Sequence, residues 1–287
     1  MMTIENTTGG MLNHDFFGIF GTSITPVYIL ITVIGILTLV LNGLLLIAMV
    51  QYRSTIFTSK GAYLIANLAI ADLLTGLNSS LWGLQIAFRL PQALKKAMLS
   101  ILLTSLEASF LTILVMSLER YIAIVFPLKA QIWLSKRRTI KSCVAVWFIA
   151  ALCGVCMALS RLIVRFCFTI LFEITVLVTI FFYYKIVIKL RQRDLDMQST
   201  GARGSNLTTV VVFLVVIMIV TVLPYMLTLQ IYLVRSMFMV ANYDPKLQLF
   251  LYYSIPIQLM NFVLNPIVYA WRLPKYRLAL LGTIHCH

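Results

Sequence analysis

The sequence predicts an all-α protein: a seven-transmembrane helix bundle with a short amphipathic cytosolic helix after the seventh span. Three observations carry that prediction. Of 287 residues 61% are apolar and only 11% charged, with a mean hydropathy of +0.97. Seven apolar runs are each long enough for a bilayer, and the basic residues collect on alternate sides of those runs. A soluble domain carries roughly 45–50% apolar and about 25% charged residues, so lipid rather than water must solvate most of this surface.

A helix needs about 20 apolar residues to cross the hydrocarbon. The first run, Val27 to Val50, has no charge. The second, Gly61 to Phe88, has only Asp72, and the third, Ala97 to Leu118, only Glu107. Ser142 to Ser160 has none, and Phe166 to Tyr184 has only Glu173. Leu207 to Val234 and Leu247 to Trp271 are again uncharged. Strands of a membrane barrel are shorter and alternate apolar with polar residues; these runs do not alternate, so they read as helices. After the seventh, Leu273 to Leu281 reads as a short helix lying on the cytosolic leaflet.

The formal charge of +14 does not point to nucleic acid, because the basic residues are not gathered on one face or tail. Sixteen of the 23 Lys and Arg lie in or beside the segments after spans 1, 3, 5 and 7; seven follow the even spans, and the first 26 residues have none. By the positive-inside rule the N-terminus is extracellular and the C-terminus cytosolic. The expected organisation is an extracellular tail over 1–26, a seven-span domain over 27–272, and a cytosolic helix and tail over 273–287, in the plasma membrane. The polar start has no basic region ahead of an apolar core, so no cleavable signal is expected and the first span serves as its own. The sequon at Asn6 then falls outside, where glycosylation is possible.

A carboxylate at mid-membrane costs at least about 2.5–3.5 kcal/mol, so it normally turns inward and finds a partner. Asp72 lies near the centre of the second span, with Asn42 at similar depth and Asn67 just over a turn before it. Two readings stand: interhelical hydrogen bonds that hold the bundle, or an ion or proton site. Pro224 and Pro266 each remove a backbone hydrogen bond, so spans 6 and 7 can kink there. Cys153 and Cys156 spell C-x-x-C but sit in an apolar helix with no second pair, which favours small buried residues over a zinc site.

Asn42, Asp72, Glu119-Arg120-Tyr121, Trp147, Pro224 and Asn265-Pro266-Ile267-Val268-Tyr269 occur one set per span and in order. This pattern resembles the class A (rhodopsin-like) G-protein-coupled receptors. The resemblance implies a receptor that carries an extracellular ligand's signal to a heterotrimeric G protein. It implies a sodium ion as allosteric modulator, held by Asp72, Ser109, Asn261 and Asn265. It also implies that Glu119 restrains Arg120 at rest, and that Arg120 later engages the G protein and the phenols of Tyr183 and Tyr269. Tyr276 matches the aromatic position that anchors the helix after the seventh span.

Several positions depart from the common pattern. Gly204 stands where many members place an acid that ties the arginine, which implies raised basal activity. Val222 replaces the usual tryptophan before Pro224. Lys95 replaces the cysteine of the outer disulfide, Thr175 replaces a proline, and the second outer loop is short, about Ser160 to Arg165. Together these are similar to melanocortin receptors and to the wider cluster with adenosine, cannabinoid and lysophospholipid receptors.

The ligand, whether small molecule, lipid or peptide, is not read from these residues. Leu102 occupies the position of the amine-binding aspartate, and Trp82, Lys95 and Leu99 occupy the positions of the melanocortin acids, which disfavours both ligand types. Lys95, Leu102, Glu107, Glu173 and Val222 are the expected cavity residues; Glu107 and Glu173 either face the cavity between spans 3 and 5 or bond neighbouring helices. Two other classes stay open. One is a transporter or channel using Asp72, Glu107 and Glu173, although no repeated half is visible; the other is a receptor-like scaffold that does not couple. No enzyme is expected, since His14, His285 and His287 lie in the tails and no nucleophile–base spacing appears.

Overall fold

The computed structural model describes residues 25–87, 90–159, 162–196, 206–238 and 245–285. Its long helices are α1 (Thr25–Gln51), α2 (Gly61–Ala87), α3 (Gln92–Val125), α4 (Lys136–Leu159), α5 (Leu162–Asp196), α6 (Asn206–Met237) and α7 (Pro245–Arg272), followed by α8 (Pro274–His285). Short helical pieces, Arg53–Ile56 and Pro127–Trp133, lie between α1 and α2 and between α3 and α4. α1 to α7 are all long and apolar enough to cross a membrane. No strand occurs among the described residues. The chain is a multi-pass membrane protein.

Several helices outrun the apolar segments expected from sequence. α3 has 34 residues, about 51 Å at 1.5 Å per residue, against a hydrocarbon core of about 30 Å. α5 starts at Leu162, so Arg165 lies inside the helix rather than in the expected loop of Ser160 to Arg165. Arg165 Nε donates to the Met157 carbonyl at 3.2 Å and so binds the start of α5 to the end of α4. Hydropathy ends a helix where charge begins, whereas the backbone goes on wherever its hydrogen bonds can continue. Asn6, Arg89, Arg161, Gly204 and Cys286 lie outside the described residues.

The helices form a closed ring in chain order, α7 returning to α1, with α3 touching α2, α4, α5 and α6. The buried apolar core runs through α1, α2, α3, α5, α6, α7 and α8 and includes Phe110, Met116, Phe172, Met218, Phe262 and Tyr269. α4 adds a smaller cluster, Val146 and Ala150 with Ala71 and Ala108. Large apolar side chains such as Ile47, Phe148, Leu177 and Val220 face outward, as expected where the surroundings are lipid.

Two seams bring backbone almost onto backbone. A Cβ on Gly76 would lie 2.7 Å from Leu39 N, and one on Gly35 2.5 Å from Ser80 N, so α1 and α2 cross through two glycines. A Cβ on Gly154 would meet Thr104 and Ser100, which closes α4 on α3 in the same way. Small residues at membrane helix crossings allow this close approach.

Candidate functional site

Four polar contacts zip α2 to α3. Asn67 Nδ2 donates to Thr112 Oγ1 at 2.8 Å, Ser109 Oγ to Asp72 Oδ1 at 2.8 Å, Thr75 Oγ1 to Ser105 Oγ at 2.8 Å, and Asn78 Nδ2 to the Met98 carbonyl at 2.9 Å. The partner number falls as the α2 number rises, as antiparallel helices require. The zipper reaches α4 through Trp147, whose Nε1 donates to Asn67 Oδ1 at 2.9 Å.

Asp72 is wholly buried. Its second oxygen, Oδ2, accepts from Asn265 Nδ2 of α7 at 2.7 Å, so one carboxylate joins three helices. Pro266 cannot donate to the carbonyl four residues before it, which is that of Phe262. Asn42 Nδ2 of α1 donates to that carbonyl at 3.1 Å, as well as to Thr38 O at 3.0 Å. The backbone gap left by Pro266 in α7 and the asparagine in α1 are therefore one arrangement.

Three of the expected site residues, Asp72, Ser109 and Asn265, thus converge, and the chemistry left over is mostly oxygen. Asn261 is wholly buried with neither end of its amide partnered, and Asn265 Oδ1 and Asn42 Oδ1 are also without partners. Buried polar atoms are nearly always satisfied. Amide oxygens, a serine hydroxyl and one carboxylate are the oxygen-rich set a hard monovalent cation or ordered water would take. Among the described residues no group of three or more His, Cys, Asp or Glu could hold a metal ion.

At the far end of α3, Arg120 Nη2 lies 3.4 Å from Glu119 Oε2, and both side chains are largely buried. The Tyr183 hydroxyl of α5 is buried beside Ser117, without a well-formed hydrogen bond, and feels the Arg120 charge. The Tyr121 ring stacks on Phe182 of α5 at 5.0 Å. Tyr269 is wholly buried with an unpartnered hydroxyl, near enough to Asp72 to feel its charge. Its ring lies 6.3 Å from that of Tyr276 on α8. Tyr276 is buried as well, and that desolvation raises its phenol above the ordinary range.

The expected cavity residues lie on α3, α5 and α6. Val222 and Leu102 are buried in the apolar interior. Lys95 is half-buried in the first turns of α3. Glu173 Oε2 accepts from Gln230 Nε2 of α6 at 3.5 Å, while Oε1 is buried without a partner. Glu107 is close enough to Cys153 of α4 to act on it electrostatically. Of the two arrangements open from sequence, Glu173 takes the one bonded to a neighbouring helix, α6. Cys143, Cys153, Cys156 and Cys167 are all free thiols.

Sequence reasoning named Asn67 and Trp147 without joining them, and missed Thr75, Ser105, Thr112 and Gln230. A signal was present: Ser105, Ser109 and Thr112 recur at i, i+4 and i+7, one face of a helix.

Residues 41–167 match the sequence model of a family described as "7 transmembrane receptor (rhodopsin family)". Over 130 residues the chain is 32% identical to C-C chemokine receptor type 9 of Mus musculus, which covers 44% of this chain and 34% of that protein. The matched part therefore spans about a third of that relative's length. Both matches are to receptors, not enzymes. The matched stretch contains Asn42, Asp72, Ser109, Arg120 and Trp147; Asn261, Asn265 and Tyr269 lie beyond it, and the Asn265 bond to Asp72 connects them to it.

Proposed function

We infer, from a seven-span chain whose residues 41–167 resemble the rhodopsin-family receptors, that the protein transmits an extracellular ligand signal to a heterotrimeric G protein. The observation that carries this reading is Arg120, paired at 3.4 Å with its own neighbour Glu119, close to the buried Tyr183 hydroxyl. A buried guanidinium offers five donors, and here it has one long contact. The arrangement is a weak latch with a second docking point beside it.

In this reading the N-terminus is extracellular and the Arg120 end faces the cytosol, at the plasma membrane. An agonist that binds better when the Arg120 end is open shifts the population toward that state; by linkage, a bound G protein raises agonist affinity equally. Arg120 leaves Glu119, and the arm of α6 before Pro224 pivots outward. With Gly204 in place of an acid there is no second restraint on Arg120 from the start of α6, so basal signalling exceeds that of untransfected cells. A sodium ion held by Asp72, Ser109, Asn261 and Asn265 stabilises the resting state.

The short second outer loop, with Lys95 and Thr175 at the divergent positions, supports a place near the melanocortin, adenosine, cannabinoid and lysophospholipid receptors. The relative named for a C-C chemokine supports a different branch. Screening ligands of both groups against the expressed receptor separates them.

Two measurements test the core reading. G-protein nucleotide exchange in membranes is expected to fall at least tenfold on Arg120→Ala; an ion flux that survives this change but is lost in Asp72→Asn would instead establish a transporter. Replacing sodium by N-methylglucamine is expected to lower the melting temperature of the purified protein, and not that of Asp72→Asn. Equal shifts in both proteins would remove the ion from the account.

A further inference from the structure

We propose that Arg272, Trp271 and Phe213 form a cation–π clasp that holds the ends of α6 and α7 together in the resting protein. The Arg272 guanidinium carbon lies 4.0 Å from the Trp271 ring centroid and 4.8 Å from that of Phe213. The two rings are themselves 5.2 Å apart and inclined at 59°. Arg272 and Trp271 close α7, whereas Phe213 belongs to α6, so the cation bridges two helices.

The chemistry around the guanidinium is unusual for an arginine. Arg272 forms no ion pair among the described residues, and its Nε is buried without a hydrogen-bond partner. What faces the charge is the negative face of two aromatic rings, and that attraction grows as water is excluded. The rest of the α6 arm meets the core through Val210, Val211 and Leu214, all buried. Apolar contacts of that kind gain little when the alternative partner is a lipid tail. The clasp therefore adds a directional contact to the seam.

Its position gives it leverage. Phe213 stands eleven residues before Pro224 in the sequence, about 16 Å along the helix from that proline. Arg272 follows the buried Tyr269 by less than one turn and precedes α8. Any outward swing of the α6 arm must separate Phe213 from Arg272, while Trp271 stays with the cation. The loss is thus one ring of two, a graded restraint suited to an equilibrium that must remain reversible.

As a restraint on signalling the proposal rests on the receptor reading above, but helix motion can be followed without any G protein. Spin labels on ketone-bearing residues at Val212 of α6 and Phe148 of α4, both exposed, report the separation of the two helices in nanodiscs. Mono-, di- and trifluorinated phenylalanine at position 213 weakens the ring's negative face while nearly preserving its shape. The long-distance population is expected to rise stepwise, roughly fivefold across the series. In Arg272→Gln it is expected to be raised already and to ignore fluorination. Distances that do not respond to fluorination, or that respond equally in Arg272→Gln, overturn the clasp. A stepwise opening with no change in nucleotide exchange keeps the clasp and removes the receptor reading instead.

Discussion

α2 is held on two sides by opposite means. Toward α1 it presents Gly76, where no side chain intervenes and backbone meets backbone. Toward α3 it presents Asn67, Asp72, Thr75 and Asn78, each hydrogen-bonded across the seam. In water the first seam would be credited to the hydrophobic effect, but a lipid tail is as apolar as leucine and that drive is absent. The α1–α2 seam therefore stands on the fit of its surfaces, and the α2–α3 seam on the cost of leaving polar groups unpaired in hydrocarbon. Interhelical hydrogen bonds in membranes average only about 0.6 kcal/mol, whereas overpacking costs about 1–3 kcal/mol or more. A fault in the glycine seam should thus be worse than most faults in the polar one.

Substitutions test that order. Gly76→Leu should have the largest effect, because its first new atom already meets the Leu39 backbone; surface expression is expected to fall below a tenth of wild type, and normal expression would refute the packing account. Asp72→Leu comes next. It strips partners from Ser109 and Asn265 at once, and a loss of about 3 kcal/mol is expected in thermal unfolding, since bonds to a charged group contribute about 1.5–3 kcal/mol each and part is regained from burial. Trp147→Phe, which frees Asn67 Oδ1, should lower stability by about 1 kcal/mol and leave α2–α3 distances unchanged. Phe148→Ala is the smallest: the ring is 74% exposed, and a melting temperature within a degree or so of wild type is expected. A larger fall there would mean that this face is covered by a partner rather than by lipid.

Much of this was legible in advance. Seven runs of sufficient length, Asp72 as the one charge in the second span, and prolines at 224 and 266 are facts of the chain, and the structure places a helix or a buried contact at each. The polar partners of Asp72 were reached through resemblance, and the structure brings Ser109 and Asn265 to it. The orientation of Glu107 and Glu173 stayed open, because an acid in an apolar run states its cost but not its direction. The α6–α7 clasp was invisible: Phe213, Trp271 and Arg272 are ordinary residues for a span and its end, and lie 58 to 59 positions apart in sequence.

The length and order of the apolar runs determined that this chain crosses a bilayer, how often and as which element, because hydrocarbon accepts no unpaired backbone and long apolar runs admit only the helix. The tertiary structure decided which face of each helix meets which neighbour: Gly76 to α1, Asp72 to α3 and α7, Glu173 to α6, Arg272 to α6. The reason is that lipid and protein interior are both apolar. Hydropathy along a span then measures depth but says little of rotation about the helix axis, which only packing and the pairing of polar groups can set.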